Sequence, residues 1–386
     1  MSSGLEVEPY PIEIADEAIA DLRERLERTR WPEQPPDEGW ELGTDLAYAR
    51  ELCEHWRERY EMKRLERLSE LGSSRWDGLH FLRLGPEGSP RGLPVVLLHG
   101  WPSGPIEYEP AAGLLADGGR GVIVPSLPGY AWSADPGEAL DVAAIAARIR
   151  ALLEEGLGLH RYALAGADWG GTIAARIAFD APERVIGLYV STPGVLPRPG
   201  DLARPPLTDE EIAYVERAQR WLRREGHHMA VQSIAPDALS PALADSPAGL
   251  TAYLVEKYRR WSDSGGEVER RFDKDELCDF LTMFWMTGAI APSMRLYWGE
   301  RHRRWRLSPE ERIAVPAAVG VFPGDSLGGT DTGTLATLNP PREWCERVLT
   351  GLRRWTEHTS GGHFAAFEEP SLYVEDLTAF LDELGA

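Results

Sequence analysis

The sequence predicts an α/β fold: a mostly parallel, doubly wound sheet with a helical lid inserted over one edge and a helical segment ahead of it. Three observations predict this. Short apolar runs, "PVVLLHG", "RGVIVPSLPG", "RYALAGADWG" and "RVIGLYVSTPG", are β-branched and end in Gly or Pro, as strands buried on both faces do. Helical patterns such as "VAAIAARIRALLEEGL" lie between them, the alternation that builds a parallel sheet. That rhythm stops from about Leu196 to Leu307 and resumes at "IAVPAAVGVFPGD", so the helical stretch reads as an insertion.

In chain order, residues 1–92 are expected to be a helical segment leading into the first strands. "IADEAIADLRERLERTRW" sets Ile14, Ala18, Leu22 and Leu26 on one helical face. "PEQPPDEGWELG" breaks the pattern, and a second helix is expected from about Leu46 to Leu71. No chemistry is visible there, and the segment reads as packing. Residues 93–196 form the first part of the core. Residues 197–307 form the lid, rich in Trp and Tyr, over the sheet edge where such folds bind ligands. Residues 308–386 complete the core, with a last strand near "LRRWTEHTSGGHF".

Composition narrows the function. The 386 residues carry a net charge of -21, which repels nucleic acid and anionic lipid, so neither is an expected partner. Cys53, Cys278 and Cys345 form no paired motif, which suits a reducing cytoplasm and excludes a disulfide framework. The start, "MSSGLEVEPYPIEIADEAIADL", has neither a cationic leader nor a long apolar stretch, so no membrane anchor is expected. Richness in Ala, Arg and Gly hints at a bacterial source.

The chemistry concentrates in "LAGADWGGTIAARIA". Gly166-Ala167-Asp168-Trp169-Gly170 fits a strand-turn-helix elbow whose tip carries a nucleophile, here an acid. A serine attacking saturated carbon would leave an uncleavable ether, whereas a carboxylate leaves an ester that water can open. Asp168 therefore points to displacement at an sp³ carbon, in epoxides or halides. The plain alternative is an aspartate capping the following helix. Its partners are expected in the order acid, then histidine. "AAVGVFPGDSLGG" offers Asp325 at a strand end, with Asp331 as competitor, and "TSGGHFAAFEEP" offers His363 as base. "LLHGWPSG" supplies an oxyanion loop, in which the backbone N–H groups of Trp101 and Trp169 would face the ester oxygen. His99 reads as support for that loop.

Together these stretches resemble the microsomal-type epoxide hydrolase family of α/β hydrolases. The likeness spans nearly the whole chain: "PYPIEI", "LRERLERTRWP", "HGWP", "GADWGG", "DSPAGLTAYLVEKYRRW" and "GGHFAAFEEP". The resemblance implies Asp168 as nucleophile, His363 as base and Asp325 as its partner, with no metal or cofactor. It also implies two lid tyrosines that protonate the departing oxygen and bind substrate. "PSMRLYWGER" supplies Tyr297, but the other position, counted back from Pro236, falls on His228, with His227 one step away. A histidine there, as imidazolium or neutral donor, is expected to add a pH dependence that tyrosine lacks.

Trp101, Trp169, Tyr297 and His228 are thus the expected substrate contacts. Trp221, Tyr253, Tyr258, Trp261, Phe284, Trp285 and Trp298 read either as walls for a bulky aromatic substrate or as lid packing. The expected activity is epoxide opening to a vicinal diol, conceivably on a natural-product epoxide of secondary metabolism. A haloalkane dehalogenase and a non-hydrolytic homologue acting on a biosynthetic intermediate stand as alternatives. A homodimer is left open.

Overall fold

The structure is a computed structural model in which residues 6–35, 39–86, 92–198, 205–324 and 339–385 are described. The apolar runs form strands. β1 (Glu8–Pro9), β2 (Ser74–Trp76), β3 (Leu79–Leu84), β4 (Val95–Leu98), β5 (Val122–Pro125), β6 (Tyr162–Gly166), β7 (Val185–Val190), β8 (Ala317–Val321) and β9 (Leu352–Glu357) join one sheet. Its order is β1-β2-β3-β5-β4-β6-β7-β8-β9. From β5 to β9 every pairing is parallel, and β4 to β7 are buried at each residue. Helices on both faces exclude water from such strands, which explains their unbroken apolar runs.

The sheet's first edge is different. β1, β2 and β3 enter antiparallel, with β3 against β5. The β2–β3 connection is the pair Asp77-Gly78, both at positive φ (46° and 75°), the turn whose twist suits a two-residue hairpin.

Ahead of the core lie α1 (Asp16–Glu27), α2 (Leu46–Glu58) and α3 (Lys63–Leu68). The helix expected to run on to Leu71 stops at Glu58 instead. Tyr60 turns inward there, and its hydroxyl donates to Asp279 Oδ1 at 2.5 Å. The core carries α4 (Glu109–Asp117), α5 (Val142–Ala151) and α6 (Asp168–Asp180). The lid then runs through α7 (Asp209–Arg224), α8 (His227–Ile234), α9 (Ser240–Asp245), α10 (Pro247–Trp261), α11 (Lys274–Thr287) and α12 (Ile290–His302). Capping boxes open two of these, Thr208 with Glu211 at α7 and Asp273 with Glu276 at α11. α13 (Arg342–Glu346), α14 (Ala365–Glu368) and α15 (Pro370–Glu383) close the chain.

The N-terminal helices grip the lid. Trp56 Nε1 donates to Thr282 Oγ1 at 2.8 Å, and His55 Nε2 meets Asp275 Oδ1 at 2.6 Å. The segment read as packing therefore packs chiefly on α10 and α11, fixing the lid above the sheet's carboxyl edge. Among the described residues, no helix is long and apolar enough to cross a membrane.

Candidate active site

β6 ends at Gly166 and α6 begins two residues later. Asp168 is the first residue of α6 and has φ of 49°, a left-handed backbone that costs a non-glycine residue about 1–3 kcal/mol. Strain of this kind persists only where the surroundings over-determine it. The capping alternative fails: Ala167 occupies the N-cap position, and no side chain caps the helix. Two glycines make room for the turn. A Cβ at Gly100 would lie 2.3 Å from Asp168 Oδ1, and one at Gly170 would lie 1.8 Å from the Leu98 carbonyl oxygen.

The Trp101 backbone N–H donates to Asp168 Oδ1 at 2.9 Å, and His363 Nε2 stands 3.8 Å from Asp168 Oδ2. His363 is buried, and its backbone N–H donates to the Trp261 carbonyl at 2.8 Å. The rings of Trp261 and Phe364 pack edge-on against its imidazole at 5.1 Å and 5.0 Å. Asp325, the expected third member, lies outside the described residues, as does its competitor Asp331. Trp169 is the second residue of α6, one step past Asp168.

His99 supports the oxyanion loop. Its Nδ1 meets the Gly100 carbonyl at 3.0 Å, and its Nε2 accepts from the Leu127 N–H at 3.1 Å. Burial pushes this imidazole down to about 4, so it stays neutral with the proton on Nδ1.

From the lid, Tyr297 and His228 face the same chamber. The Tyr297 ring stands edge-on to Trp169 at 4.9 Å and to Trp101 at 5.9 Å. Burial raises its hydroxyl pKa well above the ordinary value, the Asp168 charge raises it further, and the Trp169 indole pulls the other way. His228 stacks on Trp101 with centroids 5.5 Å apart and lies 6.0 Å from Tyr297. His227 points elsewhere: it is exposed, and its Nε2 lies 2.8 Å from Lys257 Nζ. Of the two, His228 is the one packed against Trp101 and Tyr297. Burial first, then the Lys257 charge, holds His228 well below its ordinary pKa. That direction favours the neutral imidazole over the imidazolium, the two forms expected from the sequence.

The lid aromatics divide. Trp261 and Tyr253 lean on Trp101 at 6.2 Å and 6.0 Å. Tyr258 and Phe284 are core, Trp298 stacks on His302, and Trp285 lies under Arg25. Trp221 reaches only the far edge of His228, at 6.2 Å. One group escaped the sequence reading. Glu107, in the turn after the oxyanion loop, is 3% exposed. Burial pushes its carboxyl up to about 7, with Ser103 and His363 opposing and Asp168 adding. Of the two glutamates in "GPIEYEP", no periodicity or motif marks Glu107 as the buried one.

The chain's similarity to known proteins fits this geometry. The family model described as "Epoxide hydrolase N terminus" matches residues 7–108, and that of the "alpha/beta hydrolase fold" matches residues 94–236. A protein of Stigmatella aurantiaca bearing the epoxide hydrolase name is 32% identical, covering 98% of this chain and 86% of that protein. "Epoxide hydrolase 1" of Sus scrofa is 30% identical over 97% of this chain and 88% of its own. The crystal structure of juvenile hormone epoxide hydrolase from the silkworm Bombyx mori superposes with a TM-score of 0.86 at 26% identity. It covers 99% of this chain and 95% of that one.

Proposed function

This chain belongs to the microsomal-type epoxide hydrolase family of α/β hydrolases and is an enzyme that hydrolyses epoxides, and from that premise we propose a two-step reaction through an ester on Asp168. Asp168 Oδ2 attacks an epoxide carbon, the ring C–O bond breaks, and Tyr297 gives its proton to the departing oxygen. His228, across the chamber, is assigned to hydrogen-bond the same oxygen. Water then loses a proton to His363 Nε2 and attacks the ester carbonyl. The oxyanion forming on Oδ1 accepts from the Trp101 N–H, with Trp169 as the second donor. Collapse frees the diol and restores the carboxylate. Of the two protons water brings, one goes to the departing diol oxygen and one returns to Tyr297. Asp325 is assigned to orient His363 and to stabilise its imidazolium.

The observation that carries this reading is the strained Asp168, with one oxygen 2.9 Å from an N–H and the other 3.8 Å from an imidazole nitrogen. Its rings, Trp101, Trp169, Trp261 and Tyr297, favour a bulky or aromatic epoxide, natural products included. Three free, buried thiols fit work in a bacterial cytoplasm.

A single turnover of styrene oxide in ¹⁸O-water tests it. The first diol should carry unlabelled oxygen from Asp168 while the label enters the Asp168 carboxyl, reaching the diol only on later cycles. Label in the product from the first turnover overturns the ester. Halide release from alkyl bromides, with no diol from epoxides, would instead point to a dehalogenase.

A further inference from the structure

His363 stands on the irregular stretch 358–364, between β9 and α14, with Gly361 and Gly362 just ahead of it. Such a backbone is free to wander, whereas a base must keep its imidazole in line with water and ester. The stretch is fixed by bonds to the end of α10 and the residues after it. The Trp261 carbonyl accepts from the His363 N–H at 2.8 Å, and Asp263 Oδ2 accepts from the Gly361 N–H at 3.1 Å. Glu368, its side chain fully enclosed, bridges in the other sense. One of its oxygens accepts from the Asp263 N–H at 2.8 Å and the other from the Phe364 N–H at 3.0 Å. The two segments touch so closely that a Cβ on Gly362 would lie 2.6 Å from the Asp263 nitrogen.

Arg271, three residues ahead of α11, ties these parts together. Its Nε donates to the Asp263 carbonyl at 2.9 Å, and its Nη2 to Asp263 Oδ2 at 2.5 Å. The same Nη2 donates to Ser360 Oγ at 2.8 Å, while Nη1 donates to Glu369 Oε1 at 2.6 Å. Ser360 in turn donates to Glu369. One guanidinium therefore grips the lid at Asp263 and the base-bearing segment on both sides of His363, at Ser360 and at Glu369. A rigid planar fork sets the angles between those acceptors, as a flexible ammonium does not. Without it, Asp263 and Glu369 would face one another as like charges. None of these bonds involves Asp168 on α6 or Tyr297 on α12.

Resting on the reading of His363 as the base that activates water, we propose that Arg271 is a positioning residue for ester hydrolysis alone. By clamping Ser360 and Glu369 to Asp263 it holds the His363 imidazole on the attacking water. Ester formation, which needs Asp168 and Tyr297, does not draw on the clamp.

The test follows both steps with styrene oxide on the full-length enzyme, by rapid quench and intact-protein mass, where the ester adds the mass of one substrate. Arg271→Met should form the ester within about twofold of the wild-type rate but break it down about tenfold more slowly, so kcat and KM fall together as ester accumulates. Arg271→Lys, which keeps the charge, should recover part of the breakdown rate. Ser360→Ala removes one acceptor and leaves the charges in place. It should show the same bias at about threefold, and it decides the matter if Arg271→Met does not fold. Variants that slow both steps alike, or neither, overturn the proposal. His363→Gln, which removes the base itself, should trap the ester. If it traps none, the Asp168 chemistry has failed instead, and amide exchange then judges the clamp: Arg271→Met should speed exchange across 360–364, and unchanged protection there sinks it.

Discussion

At the scale of single residues, the site depends on which protonation states burial permits. Tyr297 and His228 are both held in their neutral, proton-bearing forms, the phenol by a raised pKa and the imidazole by a lowered one. Tyr297→Phe is expected to slow ring opening by about 10²-fold. His228→Phe should cost less, and His228→Tyr should restore the rate. Since His228 stays neutral, the pH–rate profiles of wild type and His228→Tyr should coincide between about pH 6 and 9. A limb present only in the wild type would show a titrating imidazolium. Glu107 makes a prediction about stability. Its folded pKa, about 7, lies above the ordinary carboxyl value, so the folded state holds the proton longer. Its contribution is fully present at low pH and is lost as pH rises through 7. Glu107→Gln should therefore gain on wild type as pH rises, by up to about 3 kcal/mol at pH 8 in urea titrations. Asp168, His363 and Tyr297 were legible because an elbow, a glycine pair and a family motif mark them. Glu107 was not, because burial of one carboxyl leaves no trace in local sequence.

At the scale of elements, the N-terminal helices and the lid hold each other through apolar packing and a set of polar contacts, among them Arg25 with Asp245, His55 with Asp275 and Tyr60 with Asp279. Trp56 is 2% exposed, and its indole N–H ends on Thr282. Thr282→Val strands that donor and should cost about 1–3 kcal/mol, read as a fall in the urea midpoint at unchanged slope. The strands and lid helices followed from period and composition. The early end of α2 did not, because Tyr60 leaves the helix for Asp279, a residue 219 positions away. The hairpin at Asp77-Gly78 was not read from the sequence, and the antiparallel pairing of its β3 onto β5 depends on which edge of the sheet remained open.

At the scale of the whole molecule, the lid is held from two sides, by the core beneath and by residues that precede the core in the chain. A chain starting at Gly72 lacks α1 to α3 and bares the lid surfaces that Leu52, Trp56 and Tyr60 cover. It should aggregate rather than fold, which size-exclusion chromatography with light scattering would show. By itself the sequence determined the alternation of strand and helix, the lid insertion and the presence of a carboxylate at the elbow. Those are carried by short-range pattern, and a carboxylate at an elbow restricts the chemistry wherever the elbow points. Only the tertiary structure decided that His228 rather than His227 packs against Trp101, that its surroundings disfavour its charge, and that Tyr253 and Trp261 are the lid aromatics leaning on Trp101. Those outcomes depend on desolvation and on charges such as Lys257 brought close by packing, and neither is encoded at any fixed spacing along the chain.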